Sequence, residues 1–97
     1  MRTTTRPNWK FVFGISDLGR LLGKSPVTLR GWEDRGFVDL PRDASGDRKL
    51  TCADVRRVAE VACAAGRISR HRADLVAATM TLHEQIEIEN DRRAKKR

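Results

Sequence analysis

Lys24, Ser25, Val27, Thr28, Arg30 and Arg35 crowd into one stretch and combine cationic donors with small hydroxyl and methyl side chains. Ammonium and guanidinium groups neutralise phosphate oxygens, and short side chains reach base edges that a bulky one would block. The stretch also carries the marks of a helix. Ser25 can accept a backbone N–H from the first turn, Pro26 sits where its missing N–H costs nothing, and Gly36 can take the left-handed conformation that ends helices. At about 100° per residue, Leu29 and Trp32 fall together as structural supports, while Lys24, Val27, Thr28, Gly31 and Arg35 share an adjoining arc. That arc suits a nucleic-acid groove better than a protein core. Arg30 lies on the far flank of Leu29 from Thr28, within reach of a phosphate at the groove edge.

Positioning such a helix requires a partner on each side. Residues 15–23 form an upstream amphipathic helix with Ser16 as its cap and Ile15, Leu18, Leu21 and Leu22 inward, followed by a turn at Gly23. A plain helical hairpin is the competing reading of this pair. Downstream, residues 37–40 and 47–50 are strand-like and flank the turn-forming residues 41–46, which gives a β-hairpin behind the groove-facing helix. Arg42, Arg48 and Lys49 on this hairpin are suited to phosphate contacts, and a charged surface loop is the alternative. Residues 9–13 are rich in strand formers and need a sheet partner.

Thr51 caps the next helix, with Asp54 placed to complete a reciprocal cap. Val55, Val58, Ala59, Ala62 and Cys63 form its core stripe, with Arg56, Arg57 and Glu60 on other, solvated faces and Gly66 as its stop. Ser69 caps a last helix in which Leu75, Thr79, Leu82 and Ile86 follow a four-three-four spacing. This seam can fold back on the domain, pair with a second copy, or do both. Its late part is acidic, its end is basic, and Glu89 can pair with Arg93.

The chain has 97 residues, with 20 Lys+Arg against 13 Asp+Glu and a formal net charge of +7. That length allows one domain with a modest core, and the charge favours a polyanionic partner. The expected organisation is a loose N-terminus at residues 1–8, a DNA-binding domain at 9–68, a C-terminal helix at 69–90 and a basic tail at 91–97. No apolar run is long enough to span a bilayer and the N-terminus lacks a signal-peptide core, so a cytoplasmic location is expected. Cys52 and Cys63 have no Cys or His at ligand spacing; Cys63 reads as a small core residue and Cys52 has no assigned role. His71 and His83 do not form a zincin pair, and no phosphate loop or activated nucleophile is present. Neither catalysis nor a metal or cofactor is expected.

The order of these elements resembles the DNA-binding domain of the MerR family. The resemblance covers residues 15–76 and is carried by Ile15, Ser16, Asp17 and Leu18, by Ser-Pro-Val-Thr-Leu-Arg-Gly-Trp-Glu-Asp-Arg-Gly-Phe at 25–37, and by Ser-Gly-Asp-Arg-Lys-Leu-Thr at 45–51. It implies a mainly α winged helix-turn-helix with a small β-hairpin wing and a long C-terminal helix. Arg30 and Arg48 keep the family's backbone-contacting arginines and Trp32 its second aromatic, whereas Gly31 replaces the first aromatic and Asp47 the wing tyrosine. Base reading then falls to Thr28, Lys24, Ser25 and Val27, with DNA shape contributing. The sequence ends where family regulators begin an effector region, so no small-molecule effector is expected. Double-stranded DNA is the expected partner, with a homodimer or assembly along DNA left open; the alternative of another class is a protein-interaction module that uses the C-terminal helix. The chain resembles the family's effector-free members, which act as small regulators, excisionases or terminase small subunits.

Overall fold

The computed structural model describes residues 11–95, which fold into four helices. These are α1 (Ile15–Leu22), α2 (Pro26–Asp34), α3 (Cys52–Ala64) and α4 (Arg70–Lys95). Residues 1–8, Trp9 and Lys10 of the expected first strand, and residues 96–97 of the basic end lie outside the described residues. The C-terminal helix continues beyond residue 90 through most of the segment read as a tail.

Each helix begins where a backbone donor finds an oxygen. The cap of α1 is Gly14, whose N–H donates to Asp17 Oδ2 at 3.0 Å, and not Ser16, which lies exposed inside the first turn. Ser25 caps α2 by accepting the Thr28 N–H at 3.1 Å, with Pro26 first in the helix. Thr51 and Asp54 form the reciprocal cap expected for α3, and the Ser69 hydroxyl accepts the Arg72 N–H at the start of α4. At Asp54, burial works against ionisation, but the Thr51 N–H and the Arg57 guanidinium outweigh it and lower the carboxyl pKa.

One core joins the four helices. Leu18 and Leu22 of α1, Leu29 and Trp32 of α2, Val55, Val58, Ala59 and Ala62 of α3, and Ala73, Val76 and Met80 of α4 are all buried. Cys63, read as a small core residue, is half-buried and packs at the core's edge, while Cys52, which had no assigned role, is buried in it. Burial, first, and the nearby Glu87 and Glu84 carboxylates push the Cys52 thiol up, which disfavours its thiolate.

Helix α4 returns along α3. Glu60 pairs with Arg70 near the connecting turn, and Arg56 meets Glu84 at 2.7 Å and Thr81 farther along. The return uses Ala73, Val76 and Met80, a face roughly 120° around the helix from the expected seam. Leu75, Leu82 and Ile86 of that seam are exposed, and Thr79 is half-buried with its hydroxyl donating to the Leu75 carbonyl.

The hairpin differs from expectation. No strand forms among the described residues; two isolated antiparallel bridges, Phe13 with Leu50 and Arg42 with Arg48, take its place. Residues 37–40 do not pair, because Val38 and Leu40 sink into the core and Phe37 stacks edge-on against Trp32. Residues 47–50 divide their pairing between two partners. Lys49 donates to the Pro41 carbonyl and Asp43 to the Asp47 carbonyl, while Leu50 exchanges both backbone bonds with Phe13. The loop between is closed by Asp43, whose Oδ1 accepts the N–H groups of Ser45 and Asp47.

The turn between α1 and α2 depends on Gly19. Its carbonyl accepts the Lys24 N–H at 2.9 Å, and a Cβ built on it would lie 2.5 Å from the Lys24 carbonyl oxygen. Gly23 in this turn has a φ of 71°. Gly19→Ala should therefore destabilise the chain by about 1–3 kcal/mol despite alanine's better helix propensity, because backbone must move to admit the methyl. Thermal or urea unfolding checks this, and a variant as stable as the parent would show that the turn can yield.

Candidate nucleic-acid interface

Burial of Leu29 and Trp32 fixes which side of α2 faces outward. Val27, Thr28, Arg30 and Arg35 are exposed, Lys24 and Gly31 are half-exposed, and Ser25 lies exposed at the cap. Every residue assigned to the groove-facing arc is thus accessible. Among the described residues, Lys24, Arg30 and Arg35 form no ion pair, so their charge is open to an outside anion. The arc's chemistry is narrower than its composition suggests. Ser25 accepts from the Thr28 N–H and donates to Thr28 Oγ1 at 3.0 Å, so its only proton is used and the Thr28 hydroxyl proton remains to be given. At Gly31 the nearest neighbours of a notional Cβ are the Arg35 guanidinium nitrogens, so this arginine lies beside the bare backbone where the family has an aromatic.

The loop cations are in a different state. Glu33, on the last turn of α2, gathers two of them through one oxygen: Arg48 donates from Nη2 at 2.8 Å and Nε at 3.1 Å, and Arg42 from Nη2 at 3.2 Å. Arg42 also donates to the Gly46 carbonyl at 2.8 Å, tying the loop to itself. Lys49 stands 3.9 Å from Asp43. Arg42 and Arg48 therefore share one carboxylate and Lys49 faces another, so the loop cations are paired within the chain, whereas Lys24, Arg30 and Arg35 are not.

Glu33 is the residue the sequence reading missed. Arg48 and Glu33 side chains are each only 18% exposed, so the pair is partly shielded from water and worth more than a surface bridge. The available signal was a pair of carboxylates, Glu33 and Asp34, at the end of a groove-facing helix, followed by a loop with two arginines. Two other arginines outside the assigned set frame the same region. Arg67 lies 5.5 Å over the Phe37 ring, next to the Trp32 support, and Arg72 of α4 donates to the Leu21 carbonyl at the end of α1. Arg56 and Arg57, read as solvated, are engaged with Glu84 and Asp54. His83 is edge-on to Phe11 and Phe13 with Nδ1 against the Thr79 carbonyl, and the Phe11 N–H donates to Glu87. No group of acidic, histidine and cysteine side chains capable of holding a metal occurs among the described residues.

The clamp yields a quantitative expectation. A double-mutant cycle of Glu33→Ala with Arg48→Ala, read by urea unfolding, should give a coupling of about 1 kcal/mol, and the cycle with the more exposed Arg42 only a few tenths. Equal or vanishing couplings would remove the clamp.

No curated protein and no solved structure matches the chain significantly. A family model does match: that of MerR HTH family regulatory proteins, over residues 13–66. The matched span runs from the Phe13 bridge to the glycine that follows α3, taking in the helix pair, the clamped loop and the helix beneath them. It covers more than half of the chain, and this family is one of DNA-binding regulators and not of enzymes. The chain belongs to the MerR HTH family of regulatory proteins.

Proposed function

We propose that the chain is a duplex-DNA-binding transcription regulator that acts without a small-molecule effector, placing α2 in the major groove and the loop at 41–50 on the adjacent backbone as a wing. The observation that carries this reading is the division of charge. Arg30 on the outward side of α2, Lys24 just before the helix and Arg35 at its C-cap stand unpaired, while the other side of the helix is fixed in the core. Unpaired cations on a rigid element bind phosphates at little reorganisation cost.

Leu75, Leu82 and Ile86 project from α4 away from the face that packs on α3. Their common side supports self-association through this helix, with Thr79 between them. A self-paired form would suit either a two-fold operator or assembly along DNA in the manner of an architectural protein.

Titration against salt tests the DNA reading. Arg30→Ala should weaken binding to all sequences and reduce the salt slope by about one unit, whereas Arg48→Ala, already neutralised by Glu33, should reduce it by less. Salt slopes unchanged in both variants would remove the geometry. For self-association, Leu82→Asp should halve the mass measured by sedimentation; an unchanged monomeric mass in parent and variant would show that the seam does not pair.

A further inference from the structure

Val27 is the most exposed large hydrophobic side chain among the described residues, at 73%, and it sits in the first turn of α2. Its neighbours there are restricted in what they can offer. The Ser25 proton is given to Thr28 Oγ1, the Ser25 oxygen accepts the Thr28 N–H, and Pro26 has no N–H. The first turn therefore presents one isopropyl group and one free hydroxyl proton on Thr28, with the Lys24 ammonium just before the cap. It has no carboxylate. Such a surface cannot accept from the amino groups of cytosine or adenine through an acidic side chain. It matches a base edge with an acceptor oxygen next to a methyl group, and in the major groove only thymine has that edge.

On this basis we infer that Val27 is a specificity-determining residue that reads the C5-methyl group of thymine in the major groove, with Thr28 or Lys24 donating to a neighbouring acceptor. The inference rests on the proposed docking of α2 into DNA. Burying the isopropyl group against a methyl removes from water the most exposed apolar side chain of the described surface, so the contact is favourable without any change in the fold. Val27 has no role in the core, and alanine at this exposed helical position keeps the helix.

The test uses the full chain and a duplex that it selects from a randomised pool, with each thymine replaced in turn by deoxyuridine, which lacks only the methyl group. Parent binding should weaken about threefold to fivefold at one or two central positions, the loss expected for one buried methyl contact. Val27→Ala should bind the thymine and deoxyuridine duplexes equally at those positions. Four results would overturn the inference: a selected core without thymine, a parent indifferent to every replacement, a variant that keeps the parent's discrimination, or failure of the parent to select any duplex. Only the last also removes the DNA-binding reading, so the two failures are distinguishable.

Discussion

The carboxylate of Glu33 sets the distance between the two parts of the interface. It leaves the end of α2 and receives Arg48 and Arg42 from the following loop on one oxygen. Beside it the loop is held by two isolated bridges, by the burial of Val38, Leu40 and Leu50, and by Asp43, which closes the loop on itself. A paired strand would fix that tip through a ladder of backbone bonds. Here a charge-assisted contact does this, and its partial shielding from water gives it strength beyond that of an exposed bridge. The interface is consequently rigid in two places, at the buried side of α2 and at Glu33.

Charge is allocated unevenly over the surface as a result. The net charge of +7 is an average over cations in quite different states. Arg42, Arg48, Arg56, Arg57 and Arg70 face carboxylates of the same chain, while Lys24, Arg30 and Arg35, on or beside α2, do not among the described residues. In the first set Arg42, Arg48, Arg56 and Arg70 tie one element to another and Arg57 braces the start of α3; the second set is open to an outside anion. Helix α4 is divided in a comparable way. Its small residues Ala73 and Val76, with Met80, allow close approach to the domain, and the larger Leu82 and Ile86 point elsewhere.

Much of this was legible in the residues. Ser25, Pro26 and Gly36 marked both ends of α2, Thr51 and Asp54 the start of α3, and the three-four spacing from Val55 to Ala62 its buried side, because caps and apolar periodicity are local properties. Other features were not legible, most of them because they depend on partners distant in the sequence. Residues 37–40 have strand-forming side chains, but tertiary burial of Val38 and Leu40 prevailed over pairing. The seam at Leu75, Thr79, Leu82 and Ile86 is the more apolar stripe of α4, yet packing chose the side with smaller side chains. The start of α1 was misplaced because Asp17 reaches back to Gly14 across a residue, Ser16, that is itself a good cap. Glu33 was visible as a residue but not as a clamp, since its partners come from a loop whose course the sequence does not specify.

The claim on which the account stands is that α2 enters the major groove. Dimethyl sulfate interference on a duplex selected by the chain tests it directly, since the reagent methylates guanine N7 in the major groove and adenine N3 in the minor groove. The account predicts that methylated guanine N7 atoms in the centre of the protected site abolish binding. Binding that tolerates every such guanine and is lost only to adenine N3 methylation at the centre would place the protein in the other groove and contradict it.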